Sequence, residues 1–124
     1  MPKSLSKRFG IAAVLALCAG TALAHKPSVE ECREAGEFIR NAALSRDAGM
    51  KRSDFLDKLV GDLTAIRGHP PALRWFAQDA EDEAFLVSVV ESVFDVPMKS
   101  TEHESDMLRQ CLARLDPSFT LLRY

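Results

Sequence analysis

Pro27-Ser28-Val29-Glu30-Glu31-Cys32-Arg33-Glu34-Ala35-Gly36-Glu37-Phe38-Ile39 decides how this chain folds. Ser28 and Glu31 have the spacing of a capping box. The serine hydroxyl accepts from the third helical N–H, and the glutamate reaches back to the serine's own N–H. Pro27 lies just outside, where its missing N–H costs no helical hydrogen bond. From Cys32 onward, Ala35, Gly36, Ile39, Ala42 and Ala43 recur at three- and four-residue steps, which is one face of a helix. Phe38 widens the stripe. Gly36 costs the helix up to about 1 kcal/mol of propensity, and it leaves space for a second backbone near Cys32. Gly49 suits the left-handed position past a helix end, so Arg46 and Asp47 read as a solvated last turn.

Cys32 needs a partner, and the start of the chain says how many there are. Residues 1–24 have a basic opening with Lys3, Lys7 and Arg8, an apolar run from Phe9 to Ala19, and the small-residue site Ala22-Leu23-Ala24. That is the pattern of a cleaved secretory signal peptide. The apolar run is shorter than the roughly 20 residues that span a bilayer, so no stable membrane insertion is expected after cleavage. Bulky Leu17 before Cys18 argues against a lipidation site. Cleavage removes Cys18 and leaves Cys32 and Cys111 in an exported domain over residues 25–124. Two cysteines in a small exported domain read as one disulfide; the alternative is two buried free thiols.

The remaining chain is helical by the same periodicity. Phe55, Leu56, Leu59, Val60, Leu63 and Ile66 form a second apolar stripe, with Ser53 or Asp54 as its cap, and Gly68-His69-Pro70-Pro71 ends it. Ala72 to Ala77 reads as a short helical piece, either separate from the next helix or bent into it. Asp79 caps a helix whose inner stripe is Phe85, Leu86, Val89, Val90, Val93 and Phe94, ended by Val96-Pro97. Thr101-Glu102-His103-Glu104 reads as a second capping box, followed by Met107, Leu108, Cys111, Leu112 and Leu115 on one face. Asp116-Pro117 stops that helix, and the tail from Ser118 to Tyr124 either packs through Phe119 and Leu121 or frays. The expected fold is all-α: a small bundle of four or five helices, its first and last closed by Cys32–Cys111.

Charge and motifs narrow the chemistry. The domain from residue 25 keeps 13 basic and 18 acidic residues, a net charge of −5. Nucleic acid needs a clustered basic face and is not an expected partner. No G-x-S-x-G, C-x-x-C, H-E-x-x-H or phosphate-binding glycine loop is present. His25, His69 and His103 lack the spacing of a metal site and read as exposed polar residues, although an amino-terminal His25 offers an amine and a ring to copper. The carboxylates at Glu30-Glu31, Asp79 to Glu83 and Glu102-Glu104 all fall at helix starts, where capping and the helix dipole account for them. No catalytic residue, metal or cofactor is therefore assigned. Trp75 and Phe76, beside Asp79 and Glu81, are the candidate interaction patch. The competing reading is that the two rings plug the end of the bundle.

Ser28 to Glu31, Cys32, Arg46-Asp47-Ala48-Gly49 and a last helix bearing Cys111 together resemble a group of short, exported, uncharacterised proteobacterial proteins. In size, charge and helical outline the chain also resembles periplasmic immunity proteins against cell-wall amidases. With its single cysteine pair it resembles periplasmic acid-stress chaperones. The uncharacterised group has no established activity to carry over. The export address, the single disulfide and an acidic surface without a catalytic grouping point to a non-enzymatic periplasmic protein that acts by binding another protein. An immunity or inhibitor type is expected, because acidic helical surfaces suit basic clefts. The alternatives are an acid- or envelope-stress chaperone and a metal-binding periplasmic protein.

Overall fold

The computed structural model describes residues 25–116. The signal-peptide reading of residues 1–24 and the reading of the tail through Phe119 and Leu121 lie outside them. The described residues form four helices: α1 (Val29–Asp47), α2 (Arg52–Ile66), α3 (Ala80–Asp95) and α4 (Ser100–Leu115), with a 3-10 turn at Pro71–Leu73. Among the described residues there is no strand, and no helix is long and apolar enough to cross a membrane.

Local chemistry sets the helix ends. At α1 both halves of the capping box form: the Glu31 N–H donates to Ser28 Oγ at 3.0 Å, and the Ser28 N–H to Glu31 Oε1 at 2.8 Å. Its far end closes at Gly49, φ +100°, with the N–H groups of Gly49 and Met50 reaching back to the carbonyls of Arg46 and Ser45. That crossed pair is the Schellman arrangement. At α3 the Asp79 carboxylate accepts the Asp82 N–H at 2.8 Å. Two expected caps are corrected. The N-cap of α2 is Lys51, ahead of Ser53 and Asp54, with no side-chain hydrogen bond. Lys99 is the N-cap of α4, so Thr101 lies inside the helix. Only the glutamate half of that box exists, with the Lys99 N–H donating to Glu102 Oε2 at 3.3 Å.

Contacts at the helix ends give the topology. Cys32 near the start of α1 is bonded to Cys111 near the end of α4, with Cα atoms 5.4 Å apart. Arg46 at the end of α1 meets His103 at the start of α4, so these helices are antiparallel. Arg52 pairs with Asp95, and Arg67 with Glu83, so α2 runs antiparallel to α3. The result is an up-down-up-down bundle. Its most extensive contact is α1 along α4. Gly36 lies on that seam, but a methyl there would sit 3.5 Å from the Glu104 carbonyl, an ordinary contact. The seam does not need a glycine.

Cys32, Ala35, Ile39, Ala42, Ala43, Leu86, Val90, Val93, Met107 and Cys111 form the centre of the core. Helix α2 is more peripheral and buries only Leu59 and Leu63. It is held through rings. Phe94, Phe55, Phe38, Trp75, Phe76 and Phe85 form one continuous series with centroids 5.6 to 6.1 Å apart. Tilted and edge-on contacts at such distances add to what area burial alone supplies.

Candidate functional site

The end of the bundle that carries the disulfide also gathers the chain's most unusual polar groups. Asp82 is fully buried. Such a carboxylate persists only with partners that replace its lost hydration. Its Oδ1 accepts from Arg114 Nη2 at 2.6 Å, and its Oδ2 from the Gln78 N–H at 3.0 Å. Nδ1 of His25 lies 2.8 Å from the same Oδ2. A carboxylate so placed only accepts, so Nδ1 carries the proton of that bond. Arg114 also stacks over the rings of Phe85 and Phe76, at 4.8 and 5.6 Å from their centroids. Asp79 sits beside this group. The N–H of Asp82, joined by that of His25, holds its carboxyl below the usual carboxylate range.

Above the cluster runs an open groove of about 510 Å³, lined by His25, Glu31, Glu34, Pro71, Trp75 and Gln78 among others. Trp75 has φ +54°, a conformation that costs a bulky residue backbone strain and is retained only where its surroundings impose it. The surroundings here are specific. The Trp75 carbonyl accepts from Gln78 Nε2 at 2.6 Å, and its ring meets Phe38 edge-on at 5.6 Å. Arg74 ties the loop together, its Nε donating to the His69 carbonyl at 2.6 Å and its Nη2 to the Arg67 carbonyl at 3.2 Å. The indole thus stands on a fixed loop, with Glu31 and Glu34 along the same groove.

The four residues of the expected patch are not placed alike. Trp75 lines the groove and is half-buried. Phe76 is wholly buried and plugs the bundle end, because its ring packs between Trp75, Phe85 and Arg114. It is not available to a partner. Asp79 is committed to the start of α3 and to His25. Glu81 is exposed and does not line the groove. In their place the groove brings His25, Glu31, Glu34 and Gln78 to Trp75.

The histidine and arginine readings also change. His103 is buried, with Nε2 3.0 Å from the Val96 carbonyl. Arg46 is not a solvated end. Its guanidinium donates to the carbonyls of Val93 at 2.7 Å, Val96 at 3.2 Å and Met98 at 2.7 Å, capping the end of α3. His25 is held by Asp82, so its Nδ1 is not free for the copper clamp. Among the described residues no three His, Cys, Asp or Glu side chains converge as a metal site.

One signal could have found these residues. Asp82 falls on the stripe of Phe85, Leu86 and Val89, Arg114 on that of Met107 and Cys111, and Arg46 on that of Ile39, Ala42 and Ala43. A charge in an apolar stripe calls for a partner, although it does not name one.

The fold and this end of it define a small disulfide-closed helical bundle with an aromatic-acidic groove. The chain matches no known protein family, no curated protein and no solved structure.

Proposed function

We propose that this is an exported, periplasmic, non-enzymatic protein that binds another protein through the Trp75 groove, in the manner of an immunity protein or inhibitor. The observation that carries the reading is Trp75 itself: an aromatic ring held in strained backbone at an open groove edged by Glu31 and Glu34. Rigid aromatics are frequent anchors of binding energy at protein interfaces. Flanking acids favour a basic partner and speed its encounter. The disulfide is compatible with an oxidising compartment.

Trp75 is the sole tryptophan of the chain, so its fluorescence reports on the groove directly. A photoreactive residue placed at Trp75 in the exporting cell is expected to crosslink to one secreted protein with a basic face. The same residue at exposed Val60, on α2, is expected not to. Titrating that partner into the purified protein then shifts the Trp75 emission, and added salt weakens the effect. Equal crosslinking at both positions, or none at Trp75, would refute the reading.

A further inference from the structure

The segment leading into α1, residues 25–28, has no regular secondary structure and ends on Ser28 in extended backbone, and it delivers His25 to the end of the bundle that holds Asp82. The backbone nitrogen of His25 lies 3.3 Å from Asp79 Oδ2. Its ring Nδ1 lies 2.8 Å from Asp82 Oδ2, and its Nε2 lies 3.5 Å from Glu31 Oε1. One residue therefore faces three carboxylates. Of these three, Arg114 pairs with Asp82. A peptide N–H at His25 brings Asp79 a single proton and no charge. A free α-amine at the same place carries three protons and, with an ordinary pKa of about 7.7–8.0, is mostly cationic at neutral pH.

We infer that cleavage after Ala24 creates the group this corner receives best: the α-ammonium of His25, seated on Asp79 and fixing the His25 wall of the Trp75 groove. The inference rests on the export reading proposed above. Hydrolysis of the Ala24–His25 bond consumes one water. Its oxygen goes to the Ala24 carboxyl, and the His25 nitrogen leaves as an amine that takes up a proton from solvent. The processed chain then gains an ion pair that no chain extended upstream of His25 can make in the same place. Removal of the leader becomes a step that tightens the fold as well as one that releases it.

The test uses the full chain exported with its own leader. Intact mass and amino-terminal sequencing of the secreted protein are expected to place its first residue at His25; a product that begins elsewhere overturns both the inference and the processing it rests on. A second chain carries one glycine inserted between Ala24 and His25, so that cleavage leaves Gly-His25 and moves the amine off Asp79. Its Tm is expected to fall by about 4–8 °C. In Asp79→Asn, which keeps a good helix cap, the same insertion is expected to cost nothing further. The α-amine of His25, followed by NMR, should titrate above its ordinary range in the native chain and within it in Asp79→Asn. A correct His25 terminus with an unchanged Tm on insertion would overturn the seat and leave the export reading standing.

Discussion

Arg114 Nη2 and Asp82 Oδ1 lie 2.6 Å apart across the gap between α4 and α3, and Asp82 has no exposure to water. Removing one member of such a pair leaves the other charge buried without compensation. That costs about 3–5 kcal/mol where burial is complete. Arg114 keeps about a fifth of its side-chain surface exposed (21%), and His25 and Gln78 still serve Asp82. Arg114→Leu is therefore expected near the lower end, about 3 kcal/mol, by urea unfolding. Asp82→Leu together with Arg114→Leu should cost less than the sum of the two single changes.

The Cys32–Cys111 bond closes a loop with a sequence separation of 79. In the chain-entropy account a loop of that length contributes roughly 4.5 kcal/mol by restricting the unfolded chain. Replacing both cysteines with alanine is expected to remove most of that. The loss should appear as a lower urea midpoint, since α1 and α4 keep their apolar seam.

Two glycines make opposite predictions. Gly61 lies inside α2 with nothing within 4 Å of where a methyl would be. Gly61→Ala should stabilise the protein by about 0.8–1.0 kcal/mol through helix propensity. Gly49 has φ +100°, a region L side chains rarely adopt, so Gly49→Ala should destabilise by about 1 kcal/mol. Thermal unfolding of the two variants should shift in opposite directions.

Asp79 gives stability a dependence on acid. The N–H groups of Asp82 and His25 stabilise its ionised form and hold its pKa below the ordinary value. A carboxylate shifted down in the folded state binds fewer protons there than in the unfolded chain. Its contribution is complete above the ordinary value of about 3.9 and is lost as pH falls through the depressed one. Urea midpoints should decline below about pH 4, and more shallowly in Asp79→Asn. Apolar-dye binding over the same range separates the chaperone alternative from the binding reading. A rise below about pH 4 in the still-folded protein favours the former, and a flat response favours the latter.

Arg46 predicts a defect at the opposite end of the bundle. It satisfies the carbonyls of Val93, Val96 and Met98. Arg46→Met keeps much of the aliphatic bulk and leaves those carbonyls short of donors. The expected cost is about 1–3 kcal/mol. Hydrogen exchange should quicken in the turn between α3 and α4 and remain slow around Cys32 and Cys111.

Local rules made the helices, the Ser28–Glu31 capping box, the Asp79 cap, the Gly49 stop and the inward-facing cysteines legible in the linear order of residues. Each depends on neighbours within a few positions or on a repeat of three to four. The caps of α2 and α4 lie a few residues ahead of the expected ones because Lys51 and Lys99 start their helices without a hydrogen bond from their own side chains. Periodicity alone offers no boundary in that case.

The linear order therefore specified an all-helical chain with one place for a cross-link. The packed bundle settled the rest: that Phe76 is a plug, that Trp75 stands in left-handed backbone at a groove, and that His25, Asp82 and Arg114 meet. The physical reason is separation. His25 and Asp82 are 57 residues apart, and Arg114 is 32 beyond Asp82. Carboxylates at the start of a helix look alike in sequence, whether solvated or buried. Only the helix laid across them determines which one must find a cation.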